Sequence, residues 1–149
     1  MLSKTTLIEF IKLQLTSKHD ALQAELVDMQ HEKSNETKSS AGDKYETSRE
    51  MMQQSENRLN ESIAYIQEQI RQINQLITLK TFNAVESGAL VQTNKGNFFF
   101  GISLGKLVFK EEPIFVLSLN APIGKAFNGK KVNDEVMFQN QHYFIKAIE

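Results

Sequence analysis

The sequence predicts two structures in series: an N-terminal antiparallel helical hairpin, then a small, mostly antiparallel α+β domain with one short helix. Residues 1–80 contain one glycine and no proline, whereas residues 81–149 contain six glycines and two prolines. Apolar residues recur at helical spacing before that boundary and alternate with polar residues after it. The domains predicted are therefore 1–80 and 81–149.

In the first arm Ile8, Ile11, Leu15, Leu22, Leu26 and Met29 stand three, four or seven residues apart, which aligns them along one side of a helix. The second arm is more regular. Leu59, Ile63, Ile66, Ile70, Ile73 and Ile77 alternate separations of four and three, the heptad pattern of a seam between helices. Carried backward, that register reaches Met52 and Tyr45 and predicts a helix over roughly 45–79. The small, polar run at 37–43 reads as the turn, and the acidic tip falls near 37–46. So short a turn between arms of similar length requires antiparallel packing. Each arm of roughly 35 residues would span roughly 50 Å. A dimeric coiled coil competes with this reading, but a seam on each arm satisfies the other without a second chain, so a monomer is expected.

In the second half, strands are predicted over 90–93, 97–102, 106–109, 114–119, 135–138 and 143–148. Asn94-Lys95-Gly96 is a hairpin turn, and Phe98, Phe100 and Ile102 share a face. Pro122 suits the first turn of a short helix over 122–127, and 129–134 reads as a connection.

Composition narrows the function. With 17 Lys+Arg against 18 Asp+Glu the net charge is -1, so no strong field draws the chain to nucleic acid or anionic lipid. The absence of cysteine removes disulfides, thiolate nucleophiles and cysteine-based zinc sites. The first twenty residues mix charge into their apolar positions, unlike a signal peptide, and no run approaches the roughly 18 apolar residues of a membrane span. A cytoplasmic protein without membrane contact is expected.

Two segments carry a family resemblance. The run Ser118-Leu119-Asn120-Ala121-Pro122-Ile123-Gly124-Lys125-Ala126-Phe127-Asn128-Gly129-Lys130-Lys131-Val132-Asn133-Asp134-Glu135-Val136 resembles the carboxy-terminal signature of the Gre transcript cleavage factors, with Ala121 for serine, Phe127 for leucine and Asn133 for glycine. At the hairpin turn, Gly42-Asp43-Lys44-Tyr45-Glu46 is similar to the family's Gly-Asp followed by an acid three residues on, while Thr47 stands where the family has asparagine. The resemblance covers nearly the whole chain. It implies a C-terminal domain similar to the FK506-binding proteins and a bacterial elongation factor, not itself an enzyme, that enters the secondary channel of RNA polymerase and stimulates cleavage of backtracked transcripts. It further implies that Asp43 and Glu46 are the tip carboxylates, ligands for the polymerase's second magnesium, with no cofactor bound by the chain alone. The extruded RNA 3′ end is then a partner within the complex, and Pro122, Ile123 and Gly124 belong to the surface that docks on the polymerase.

Each of these residues also has a plainer reading. Asp43 and Glu46, three apart at a helix start, suit a capping pair, a role compatible with metal ligation because a capping oxygen keeps further lone pairs. Pro122 can simply start its helix. Phe98, Phe99 and Phe100 suit a core better than a stacking platform for single strands. His19, His31 and His142 are too dispersed for a metal site. Lys33, Lys38, Lys44 and Arg49 flank the tip and suit RNA phosphate, but Glu32, Glu36 and Glu50 interspersed among them favour a solvated face. Functional alternatives are a channel occupant that inhibits or competes without stimulating cleavage, a prolyl isomerase suggested by the fold resemblance, and a polymerase-independent coiled-coil adaptor.

Overall fold

The computed structural model describes residues 2–36, 42–76 and 80–149, with side chains described for 2–35, 46–76 and 80–149. Most of the turn expected at 37–43, the side chains of Asp43, Lys44 and Tyr45, and Ile77 lie outside the described residues. Two long helices, α1 (Lys4–Glu36) and α2 (Gly42–Gln75), precede a six-stranded, mostly antiparallel sheet and one short helix, α3 (Pro122–Phe127). By packing, the chain divides into two compact units: Leu13–Ile70, and Met1–Lys12 together with Arg71–Glu149. The change of texture at Lys80 falls between the end of α2 at Gln75 and the first strand residue, Leu90, while this division falls within the helices. No helix among the described residues is long and apolar enough to cross a membrane.

In the helical unit the arms run antiparallel. His19 on α1 meets Gln67 on α2, and fourteen residues further along α1, Lys33 meets Gln53 and Glu56. Position rises on one arm as it falls on the other. Leu59, Ile63 and Ile66 are buried, as the heptad spacing predicts, and Leu15 is their buried counterpart on α1. α2 begins a few residues earlier than predicted, at Gly42. At its other end, Leu76 N–H is shared between the carbonyls of Gln72 (3.2 Å) and Ile73 (3.1 Å), the tightened last turn common at helix ends.

The other unit is built on strands β1 (Leu90–Thr93), β2 (Gly96–Phe100), β3 (Gly105–Phe109), β4 (Glu112–Leu117), β5 (Glu135–Phe138) and β6 (Gln141–Ile148), in the order β3-β4-β2-β1-β6-β5. All neighbours are antiparallel except β2 and β4, which pair in parallel with Phe98 opposite Phe115 and Phe99 opposite Val116. Parallel strands need a crossover, and β3 at the sheet edge supplies it.

Strand alternation sorts the apolar residues into two layers. One holds Val91, Phe98, Phe100, Phe127, Val136 and Ile145 with Phe82 and Val85. Leu90, Phe99, Ile114 and Val116, of opposite parity, are buried as well. A strand buried on both faces reads as an apolar run, which explains Phe98-Phe99-Phe100. The helix ends belong to this unit too: Leu7, Ile11 and Ile73 are fully buried, and the Phe10 and Phe109 rings lie 4.8 Å apart.

Candidate functional site

The tip side of α2 carries the sequence-predicted carboxylates. Its helical backbone places position 43 three residues ahead of Glu46, so the two positions share a face. Glu46 is exposed, while the Asp43 side chain lies outside the described residues. Glu46, Arg49, Glu50 and Gln53 follow the i, i+3, i+4, i+7 pattern of one helix face and together line a shallow depression of about 300 Å³. Glu50 therefore joins Glu46 on the stripe, a pairing its one-turn spacing already contains. The carboxylate oxygens are the hard donors magnesium prefers. Among the described residues no group of three His, Cys, Asp or Glu side chains is arranged to hold a metal ion.

Lys33 differs from its expected place on a solvated face. The side chains of Leu15, His19, Leu22, Leu26, Met29 and Lys33 are all withdrawn from full exposure and alternate spacings of four and three, so Lys33 and His19 occupy seam positions of α1. The Lys33 ammonium donates to Gln53 Oε1 at 2.6 Å and pairs with Glu56 Oε2 at 3.2 Å. The Lys33 and Glu56 side chains retain only 26% and 16% of their exposure.

The signature segment builds a turn and the short helix. Asn120 N–H donates to Ser118 Oγ (3.1 Å) and Ala121 N–H to Ser118 O (3.1 Å). Pro122 occupies the start of α3, where its missing N–H costs nothing, and it is exposed. Ile123 packs against the aromatic core. Gly124 is buried: a Cβ there would lie 2.2 Å from Ser118 O and 2.7 Å from Leu119 Cα, so only glycine lets the helix meet the preceding turn. Of the three predicted docking residues, Pro122 is exposed, whereas Ile123 packs against the core and Gly124 is buried against the preceding turn. Asn133 takes φ 75°, a left-handed conformation that glycine and asparagine tolerate best. Lys131 N–H donates to Asp134 Oδ2 at 2.7 Å and closes the loop after α3.

The triple phenylalanine is core. All three residues are buried, and Phe98 packs against Phe100, Phe115, Phe127 and Tyr143 with centroids 5.1–5.8 Å apart. His19 Nδ1 lies 3.5 Å from Asp20 and its Nε2 3.4 Å from Gln67 Nε2, while His142 is exposed on β6.

Sequence reasoning did not single out Lys4. Its side chain is buried, with the ammonium donating to Lys80 O at 3.3 Å and lying 4.4 Å from the Phe82 ring centroid. Burial lowers its pKa from the usual 10.5, and the Glu149 carboxylate partly opposes that. Glu149 also accepts from Lys4 N–H, at 3.4 Å to each oxygen, complementing the exposed amides of the α1 amino terminus.

Compared with known proteins, the chain matches no family model and no curated sequence.

Proposed function

We propose that this chain is a Gre-type elongation factor that binds RNA polymerase through its secondary channel and stimulates the polymerase's own cleavage of backtracked RNA, its sheet domain being related to the FK506-binding proteins. The observation that carries the reading is the local geometry of the signature run. Asn133, where the signature has glycine, takes a positive φ, and Gly124, in the same run, is packed too closely for any side chain. The replacement at 133 and the glycine at 124 thus both follow backbone demands that the same run of sequence would impose in a relative.

In this reading Asp43 and Glu46 supply carboxylate oxygens to the weakly held second magnesium of the polymerase. That ion would activate water and stabilise the leaving oxygen of the phosphodiester. The chain's own part is to bring anionic oxygens to the cleavage site and hold them there. Glu46 is exposed and lies close to the start of α2, as that role requires. Pro122, exposed at the start of α3, serves docking on the polymerase.

The test is a backtracked elongation complex supplied with magnesium and either the natural chain, Asp43→Asn or Glu46→Gln. Shortened RNA with the natural chain, lost with each isosteric substitution, is the expected result. Thr47, in place of the family's asparagine, favours a second reading, a channel occupant without cleavage. Polymerase binding with slowed nucleotide addition and no shortened RNA would select it.

A further inference from the structure

We infer that Lys33, through Gln53 and Glu56, is the positioning residue of the hairpin's acidic end: a polar clamp that fixes α2 to α1 at Gln53 and Glu56 and so anchors the helix from which Glu46 projects. The inference rests on the proposed reading only for its consequence in cleavage.

The apolar seam weakens toward the tip. Leu59 is the last buried apolar residue of α2 in that direction, and Leu15 the last of α1; beyond them Leu22, Leu26, Met29 and Met52 are only partly buried among the described residues. Thirteen residues separate Leu59 from Glu46, roughly 20 Å of helix. Helix this far from buried packing frays readily, because in water a short helical segment gains little from its own backbone bonds.

Within that stretch Lys33 reaches across from α1 and joins two residues of α2 that stand three apart, one helical turn. Gln53 is also seven residues after Glu46 on the stripe that lines the shallow depression. The clamp therefore grips the face that carries the carboxylate. Its geometry is that of a charge-assisted hydrogen bond combined with a partly desolvated ion pair, each stronger than an exposed surface pair. A polar group at one seam position also favours one register over its alternatives, at some cost in stability.

A direct contact between Lys33 and RNA phosphate is the competing role, and the two roles part company at Glu56. Removing the Glu56 charge weakens the clamp but would free the ammonium for an anion. Four variants decide between them: Lys33→Ala, Lys33→Arg, Glu56→Gln and the double substitution Lys33→Met with Glu56→Met. Amide hydrogen exchange across residues 46–56 is read first, on the full chain without polymerase. Faster exchange in Lys33→Ala and Glu56→Gln, with protection retained in Lys33→Arg and restored in the double methionine variant, is expected. Cleavage is read next on backtracked complexes. The saturating rate should fall on the order of tenfold in Lys33→Ala and Glu56→Gln at an unchanged half-effect concentration, as for small misplacements of reacting groups, and return in the double variant. Unchanged exchange in Lys33→Ala overturns the clamp. So does full cleavage by Glu56→Gln alongside a defective double methionine variant, which would assign Lys33 to the RNA. Should the natural chain cleave nothing, the functional reading falls and hydrogen exchange alone decides the clamp.

Discussion

Lys110 holds φ 51° and Glu111 φ 67° in the two-residue turn between Phe109 and Glu112, and Gln139 and Asn140 hold φ 49° and 61° between β5 and β6. Both turns have the left-handed pair that matches strand twist, and a residue with a Cβ there costs roughly 1–2 kcal/mol. Glu111→Gly is expected to raise stability by about 0.5–1 kcal/mol in urea denaturation, the gain being reduced by glycine's freedom in the unfolded chain. The reverse case is Gly124→Ala. Its new methyl meets backbone rather than a movable side chain, so a loss of about 2 kcal/mol or more is expected from the same measurement. Lys4 gives a prediction in pH. Burial lowers its folded pKa, so between that value and the unfolded 10.5 the unfolded chain binds more protons and stability rises with pH. The cost of the buried charge is fully present below the folded pKa. Measured at pH 7 and again near pH 10.5, the stability of the natural chain relative to Lys4→Met should therefore improve at the higher pH.

The elements show what the sequence makes legible and what it conceals. Leu59, Ile63 and Ile66 are legible because a seam is written in spacing, and Asn94-Lys95-Gly96 because its glycine takes φ 121° at the end of the turn. The α1 seam is half concealed. His19 and Lys33 fill its register with polar side chains, so a search for apolar residues reads a gap of seven between Leu15 and Leu22 and stops at Met29. The parallel β2–β4 pair is concealed for another reason: alternation identifies a strand and its buried face but carries no information about its neighbour. Likewise Leu7, Ile11 and Ile73 announce a buried helix face without announcing that these helix ends belong with the sheet. For the candidate site, the spacing of Glu46 and Glu50 was readable, but the burial of Gly124 beneath Ser118 depends on a turn that brings distant backbone atoms together. The seam supports a test of its own. Ile63→Ala should leave a void worth about 2–4 kcal/mol and accelerate amide exchange along the helical unit, while Tyr65→Ala, on an exposed position two residues away, should change exchange little.

At the scale of the whole molecule, the proposed chemistry and the proposed docking residue belong to different compact units: Glu46 to the helical one and Pro122 to the one built on the sheet. Their substitutions should therefore separate in kinetics. On the proposed reading Glu46→Gln, which keeps size and hydrogen-bonding shape while removing the charge a cation needs, would remove an interaction made at the cleavage step. Altering even a residue that supports a metal ligand costs 10–100-fold, and a ligand should cost no less, so the saturating cleavage rate should fall by at least about tenfold. Pro122→Ala touches an exposed residue at the start of a short helix, where substitutions spare the fold. It should instead raise the concentration giving half-maximal cleavage, by roughly three- to tenfold for the loss of about 1 kcal/mol of contact, with the saturating rate intact. Because the two residues belong to separate compact units, the double variant should show both effects at full size. A rate defect in Pro122→Ala, or a binding defect in Glu46→Gln, would mean that one surface performs both tasks.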